Sequence, residues 1–424
     1  MHITIIAPGS QGDVRPYVAL GRGLQATGHT VRVATHQNFA MLVTGCGLAF
    51  YPLHGDMEAL MRDQAVGDAL AKNNLLSQFV LLKNKLIVLN QQWMHDCLEA
   101  CLAAEVVIGG FGGLIAGQPV AEKLGLPFIQ AWLVPFTPTR AFPAVSFPML
   151  RTKFGGRLNL LSHVLGWRLM AWPMQRASVN LARRSVLGLP PSPYWDGPLA
   201  FFEQRTWPVL NGFSEHVVPR PTDWAAHQHV TGYWFLDYSP EWQPSVSLVD
   251  FLHAGPPPVY VGFGSMSHGD PQAATRLVIE ALRLAGQRGI LLAGWGGLRQ
   301  TDLPASVYMT EAIPHSWLFP QVAAVVHHGG AGTTAAGLRA GKPTLCVPFI
   351  SLDQNFWGWR VADLGVGLPP IPPNRLTSEK LAQAITTMVN DPAMSQRANE
   401  LGANIRSEDG VAQAVAIIKS VWDK

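Results

Sequence analysis

The chain has 424 residues, too many for one ordinary core, so two domains or more are expected. Hydrophobic residues make up 48% and charged ones 14%, which excludes a disordered chain. A net charge of +3, with no basic run and no RNA-binding signature, argues against a nucleic-acid partner.

The opening HITIIAP is a near-continuous apolar run without a basic flank, which reads as a buried parallel strand rather than a signal peptide. After GSQGDVR, Pro16 suits a first helical turn, Tyr17, Leu20, Gly21 and Leu24 recur at helical spacing, and Gly28 stops the helix before the strand TVRVAT. EVVIGG and LPFIQAW predict later strands, with QPVAEKLG a helix between them. The longest apolar stretch, NLLSQFVLLKNKLIVLN, carries two lysines and is too short to span a membrane. RLNLLSHVLGWRLMAWPM (157–174) mixes Arg, His and Trp with its leucines, leaving room for peripheral contact with a membrane or with a greasy ligand, but the expectation is a helix facing a core. Cys97 and Cys101 share a helix face, yet no second pair completes a zinc site. With Cys46 and Cys346 they are too scattered for a disulfide framework, so reduced thiols and a cytoplasmic location are expected.

Around residues 239–258 the texture turns proline-rich and aperiodic, as a linker would. A second alternation follows: VYVGFGSM, a helix with Ala274, Leu277, Val278, Ala281, Leu282 and Ala285 on one face, then GILLAGW, SVYMTEA, AAVVHH and TLCVPF. The organisation expected is a domain over 1–238, a linker over 239–258, a second domain over 259–405, and a terminal helix over 406–424 packing back across the boundary. The fold class is α/β, with two Rossmann-like, doubly wound parallel sheets facing a cleft.

Three loops fall at carboxyl ends of predicted strands, where such sheets bind ligands: residues 9–15, 262–267 and 328–334. Each is rich in Gly and Ser/Thr, so bare amides can approach an anion. Any one alone is more often a turn than a site; three across two halves favour a phosphate-containing ligand. A helix starting near Gly332 would add its dipole, and His328 an imidazole donor. GLRAGKPT fails as a Walker loop, because its glycines are too close and Pro343 stands where Ser or Thr is required. Gly330 to Ala335 fits a dinucleotide pattern, with Asp353 at the distance of a ribose-binding acid, but that reading explains neither His328 nor Asp13. Asp13 itself has an ordinary reading, as N-cap of a helix beginning near Val14 or Arg15.

HHGGAGTT…GLRAGKPTLCVPFISLDQNFWGWRVADLGVG (327–367) resembles the donor signature of GT-B nucleotide-sugar glycosyltransferases. GSQGDVRPYVALGRGL…GHTVRVATH (9–36) resembles the N-terminal signature of their bacterial, sterol, antibiotic and rhamnolipid branch. The resemblance implies diphosphate contacts at Ser265, His328, Gly330, Gly332 and Thr333, and sugar contacts at Asp353 and Gln354. It also implies a general base at Asp13, with Ser10 and Gly12 near the acceptor. Ala336 stands where the plant branch binds ribose through Glu, and Ala312 where it stacks uracil on Trp; the resemblance then implies a nucleoside contact from the backbone of Ile313, with Trp295 of GWGG as the candidate substitute platform.

The function so implied is inverting transfer of a hexose, foremost glucose from UDP-glucose, to a hydroxyl of an apolar small molecule such as a flavonoid, sterol, macrolide or lipid. No cofactor is expected beyond the UDP-sugar co-substrate, and no metal, since no D-x-D pair lies near a strand end. A sugar-nucleotide epimerase, or a nicotinamide-dependent dehydrogenase, is the alternative.

Overall fold

A computed structural model describes residues 1–55, 75–145, 147, 155–203, 205–237, 242–263, 271–293, 303–349 and 352–422. The chain divides into two compact units, Met1–Leu236 with Asp409–Lys424, and Asp237–Glu408.

The first unit carries β1 (His2–Ile6), β2 (Thr30–His36), β3 (Ala49–Leu53), β4 (Val106–Gly109), β5 (Phe128–Trp132), β6 (Val209–Asn211) and β7 (Gln228–Val230). They form one sheet in the order β3-β2-β1-β4-β5-β6-β7, parallel at each pairing. Its helices are α1 (Gln11–Ala26), α2 (Ala40–Gly45), α3 (Leu75–Cys101), α4 (Phe111–Leu124), α5 (Gly156–Leu165) and α6 (Trp172–Ala182). Wide helical turns at Gly166–Ala171 and Arg183–Leu187 join and extend the last two into one long run. Because β1 is buried on both faces, its alternate side chains feed two cores. Ile3 and Ile5 pack with Leu20 and Leu24 of α1. Ile6 packs with Cys97 of α3, Val120 of α4 and Val179 of α6.

The second unit repeats the plan with β8 (Val259–Gly262), β9 (Gly289–Leu292), β10 (Val307–Thr310), β11 (Ala324–His327), β12 (Thr344–Cys346) and β13 (Gly367–Leu368). These are parallel in the order β10-β9-β8-β11-β12-β13. Its helices are α7 (Val246–His253), α8 (Pro271–Leu284), α9 (His315–Leu318), α10 (Ala331–Arg339), α11 (Leu352–Asp363), α12 (Ser378–Asn390) and α13 (Pro392–Ser407). α7 lies inside the stretch expected as a linker. Its Ser245 cap accepts a bond from Leu248 N–H at 3.3 Å, and Leu248 joins the core of Tyr260 and Phe319, so apolar burial overrides the proline-rich flanks.

The chain then returns to the first unit as α14 (Gly410–Trp422), whose Ala414, Val415 and Ile418 are buried against the α1 layer. Gly23 of α1 makes this approach possible, since a Cβ there would overlap Val411. The helix over 157–174 differs from its core expectation. Trp172 is buried, but Leu158, Leu161, Leu165, Leu169, Met170 and Met174 are exposed.

Ile418 fills the α1–α14 interface, so Ile418→Ala should cost about 2–5 kcal/mol of unfolding free energy in denaturant titration, by lost transfer energy plus a residual cavity.

Candidate active site

In both sheets the strand order reverses once, between β1 and β4 and between β8 and β11. There the connections leave in opposite directions, opening a crevice at the carboxyl ends where α/β sheets hold ligands. The loop bearing Asp13 follows β1, and the loop bearing His328 follows β11. Both candidate loops therefore stand at switch points, one per unit.

In the second unit, α10 begins at Ala331 with Gly330 as its N-cap, and no side chain caps it. The amides of Ala331, Gly332 and Thr333 belong to a first turn, where helical N–H groups lack intrahelical acceptors. The first bonded amide is Thr334 N–H, which donates to the Gly330 carbonyl at 2.9 Å. Gly332 is exposed and Thr333 half-buried at this positive helix end. His328 lies over Gly330, where a Cβ would collide with its Nε2. Its Nδ1 is buried with no hydrogen-bond partner among the described residues. Burial lowers the His328 pKa to about 4, so the ring is neutral near pH 7 and still offers one N–H. A bare helix start beside a neutral imidazole suits an anion.

His327 does different work. It is fully buried, and its Nδ1 accepts from Gly329 N–H at 2.9 Å. Burial first, then His328 and His315, hold its pKa well below the usual value. The proton of the neutral ring is therefore assigned to Nε2, which lies 3.7 Å from Cys346 Sγ on β12. The Gly329 N–H bond to Nδ1 anchors Gly329 at φ +91°, a left-handed conformation in which any Cβ would also meet the Gln354 carbonyl. Two adjacent histidines thus differ: His327 fixes the turn, and His328 lies over Gly330 at the helix start.

Asp353 occupies the first turn of α11. Gln354 is buried, and its Oε1 accepts from Phe349 N–H at 2.9 Å. Its carbonyl is thus committed to shaping the loop after β12, beyond the sugar contact the sequence suggested. Ile313 is buried in the core with Tyr260 and Leu318. Ser265 and Trp295 lie outside the described residues.

In the first unit Asp13 is not an N-cap. Ser10 is the N-cap and α1 begins at Gln11, which makes Asp13 the third helical residue. Its Oδ2 accepts from Ser10 N–H at 2.8 Å and from Ser10 Oγ–H at 2.9 Å, a capping box. Gly9, at φ +147°, leaves the carboxylate its space, since a Cβ there would overlap Asp13. By surface area the residue is exposed, as is Gly12. Desolvation by surrounding protein nonetheless outweighs the Ser10 bonds and the nearby His36, and raises the carboxylate above its ordinary 3.8. A fixed carboxylate of raised pKa is suited to taking a proton.

Sequence reasoning missed a second oriented imidazole. His54, just beyond β3, holds Asp96 of α3 through Nδ1 at 2.8 Å and through its backbone N–H at 2.8 Å. The two positions are 42 residues apart, and no spacing announces the pair.

The His327 anchor generates a test. His327→Phe keeps a ring but leaves Gly329 N–H buried without its acceptor, a penalty of about 1–3 kcal/mol. UDP affinity in calorimetry should fall with it. His327→Asn, whose Oδ1 occupies the Nδ1 position, should restore most of both affinity and stability.

Residues 3–143 match the glycosyltransferase family 28 N-terminal domain, and residues 296–420 match the erythromycin biosynthesis protein CIII-like C-terminal domain. A sterol 3-beta-glucosyltransferase of Arabidopsis thaliana is 38% identical over 426 residues, covering 98% of this chain and 67% of the relative. One of Cryptococcus neoformans is 37% identical over 446 residues, covering 99% of this chain and 27% of its own. The chain thus spans about two thirds of that plant relative's length and under a third of the fungal one's. Among solved structures, the calicheamicin glycosyltransferase CalG4 superposes with a TM-score of 0.72 at 18% identity, covering 100% of this chain and 98% of the other. The Streptomyces glycosyltransferase SsfS6, in complex with thymidine diphosphate, gives 0.62 at 20%, covering 99% of each chain. With both sheets, both switch-point loops and this identity along its length, the chain belongs to the sterol 3-beta-glucosyltransferase family of GT-B glycosyltransferases.

Proposed function

We propose that this chain transfers glucose from UDP-glucose to the hydroxyl of a sterol, with inversion at the sugar carbon. The observation that carries donor binding is the uncapped start of α10 with the neutral His328 at its rim. The sterol class rests on what the similar plant and fungal proteins are named for. In this reading Asp13 accepts the acceptor's proton as the oxygen attacks the anomeric carbon, and Ser10 keeps the carboxylate aimed. A single displacement inverts the carbon. Charge then gathers on the departing diphosphate, where the amides of Ala331, Gly332 and Thr333, the Thr333 hydroxyl and His328 supply donors already in place, with Ser265 the further donor that the family resemblance implies. Asp353 and Gln354 complete the sugar side, and Trp295 with the Ile313 backbone the nucleoside side.

Incubation with UDP-glucose and a sterol, followed by mass detection of UDP and a steryl glucoside, tests the assignment. Far better use of a thymidine-linked deoxy-sugar would refute the donor, and rejection of every sterol in favour of a macrolide or flavonoid would refute the acceptor.

Asp13→Asn retains an oxygen to accept from Ser10 N–H, so α1 keeps its cap and thermal stability should stay near wild type. Turnover should fall roughly 10²–10⁴-fold with UDP affinity nearly unchanged. A base works deprotonated, so the wild-type rate should drop as pH falls through the raised Asp13 pKa, and the variant's residual rate should lack that limb. His328, neutral down to about pH 4, contributes no limb near neutrality.

Amides and a neutral imidazole form the counter-field in this reading, so activity should survive excess EDTA. Complete loss, restored by Mg²⁺ or Mn²⁺, would show that a cation holds the diphosphate.

A further inference from the structure

The long helical run of α5, the wide turns and α6 is apolar on two sides, and the fold buries only one. Its inner side places Trp172, Val179 and Ala182 in the core with Cys97 and Val120. Its outer side exposes Leu158, Leu161, Leu165, Leu169, Met170 and Met174, at the three- and four-residue intervals of one helix face, the wide turn absorbing the extra step. Leu181, Tyr194 and Trp195 continue the exposed set. Sixteen large apolar side chains are exposed among the described residues, and nine of them fall between 158 and 195. Such clustering marks a surface built to be covered, since scattered exposure is the ordinary case.

The charges on the same run identify the cover. Between 155 and 196 the chain has five arginines and one acid, Asp196. Arg183 is buried on Glu122, and Arg168 pairs with Asp196 at 2.7 Å. Arg157 and Arg184 remain exposed, while the Arg176 guanidinium lies 3.8 Å over the Tyr194 ring. A second copy of this face would bring arginines against arginines. An anionic lipid surface would meet them with phosphates and receive the leucines and methionines at the acyl boundary. No helix among the described residues is long and apolar enough to cross a membrane, so the face suits lying on a bilayer.

We propose that the outer face of α5–α6, with Tyr194 and Trp195, docks this chain on an anionic lipid bilayer. The proposal names residues other than those of the donor loops, and its test uses neither donor nor sterol, so it stands or falls separately from the glucosylation reading. The full chain is floated with vesicles of phosphatidylcholine alone or with added phosphatidylserine, at low and high salt. Wild type should bind the anionic vesicles best and lose affinity as salt screens the arginines. The triple variant Leu161→Glu, Leu169→Glu, Met174→Glu should bind at least about ten-fold more weakly, with circular dichroism unchanged. Met41→Glu, at an 88% exposed position of α2, should bind as wild type. Wild-type protein that ignores the anionic vesicles, or a triple variant that binds them equally, would overturn the proposal. So would a triple variant whose sole defect, by sedimentation velocity, is loss of a dimer.

Discussion

A parallel strand buried on both faces can present polar chemistry only beyond its end. In this chain that constraint places the candidate chemistry in loops at carboxyl ends, and the single reversal of strand order in each sheet selects which loops have room. At the first reversal the Asp13 loop leaves β1, and at the second the His328 loop leaves β11. The glycines follow from crowding at those exits. Gly9 yields to a carboxylate, and Gly329 to the Gln354 backbone. A side chain at Gly9 would displace Asp13, and one at Gly329 the Gln354 backbone.

Desolvation then tunes the groups gathered there. It acts against charge of either sign, so it raises Asp13 and lowers His328. A carboxylate so raised is a better base, and an imidazole so lowered is a neutral donor that keeps its place before any anion arrives. One physical effect thus suits Asp13 to the proposed role of proton acceptor and His328 to the proposed role of hydrogen-bond donor. The rings at 327 and 328 show how far adjacent positions can differ, the first fully buried and the second half-buried. Backbone direction decides: His327 points into the sheet and bonds Gly329, while His328 turns over Gly330.

Much of this was legible in one dimension. Both alternations of strand and helix, the parallel sheets and the loops holding Asp13 and His328 follow from apolar runs and Gly-rich exits. What escaped notice depends on distance in space. Asp13 is the third helical residue rather than the cap, because Ser10, three residues before the acid, closes a capping box with it. The partners of Gln354 and His327 are loop amides whose orientation no periodicity records. The His54–Asp96 pair joins positions 42 apart, and α7 hid behind proline-rich flanks.

The run from 157 to 174 was misjudged for an instructive reason. A one-dimensional count of apolar residues measures how much a segment can bury, not how many sides the fold will cover. The exposed Leu158, Leu161 and Leu165 and the buried Trp172 belong to the same helical run, and only packing against α3 and α4 separates them. An apolar stripe that the core leaves uncovered carries a standing cost of solvation, about 25 cal/mol for each Å² left in water. A chain whose proposed acceptor is itself apolar gives that cost a use, since the phase that covers the stripe is also the phase in which a sterol dissolves. The second unit, to which the proposed function gives the polar donor, leaves only Val246 and Leu284 exposed among its large apolar side chains in the described residues. That asymmetry is what the physics of two substrates of opposite solubility would require.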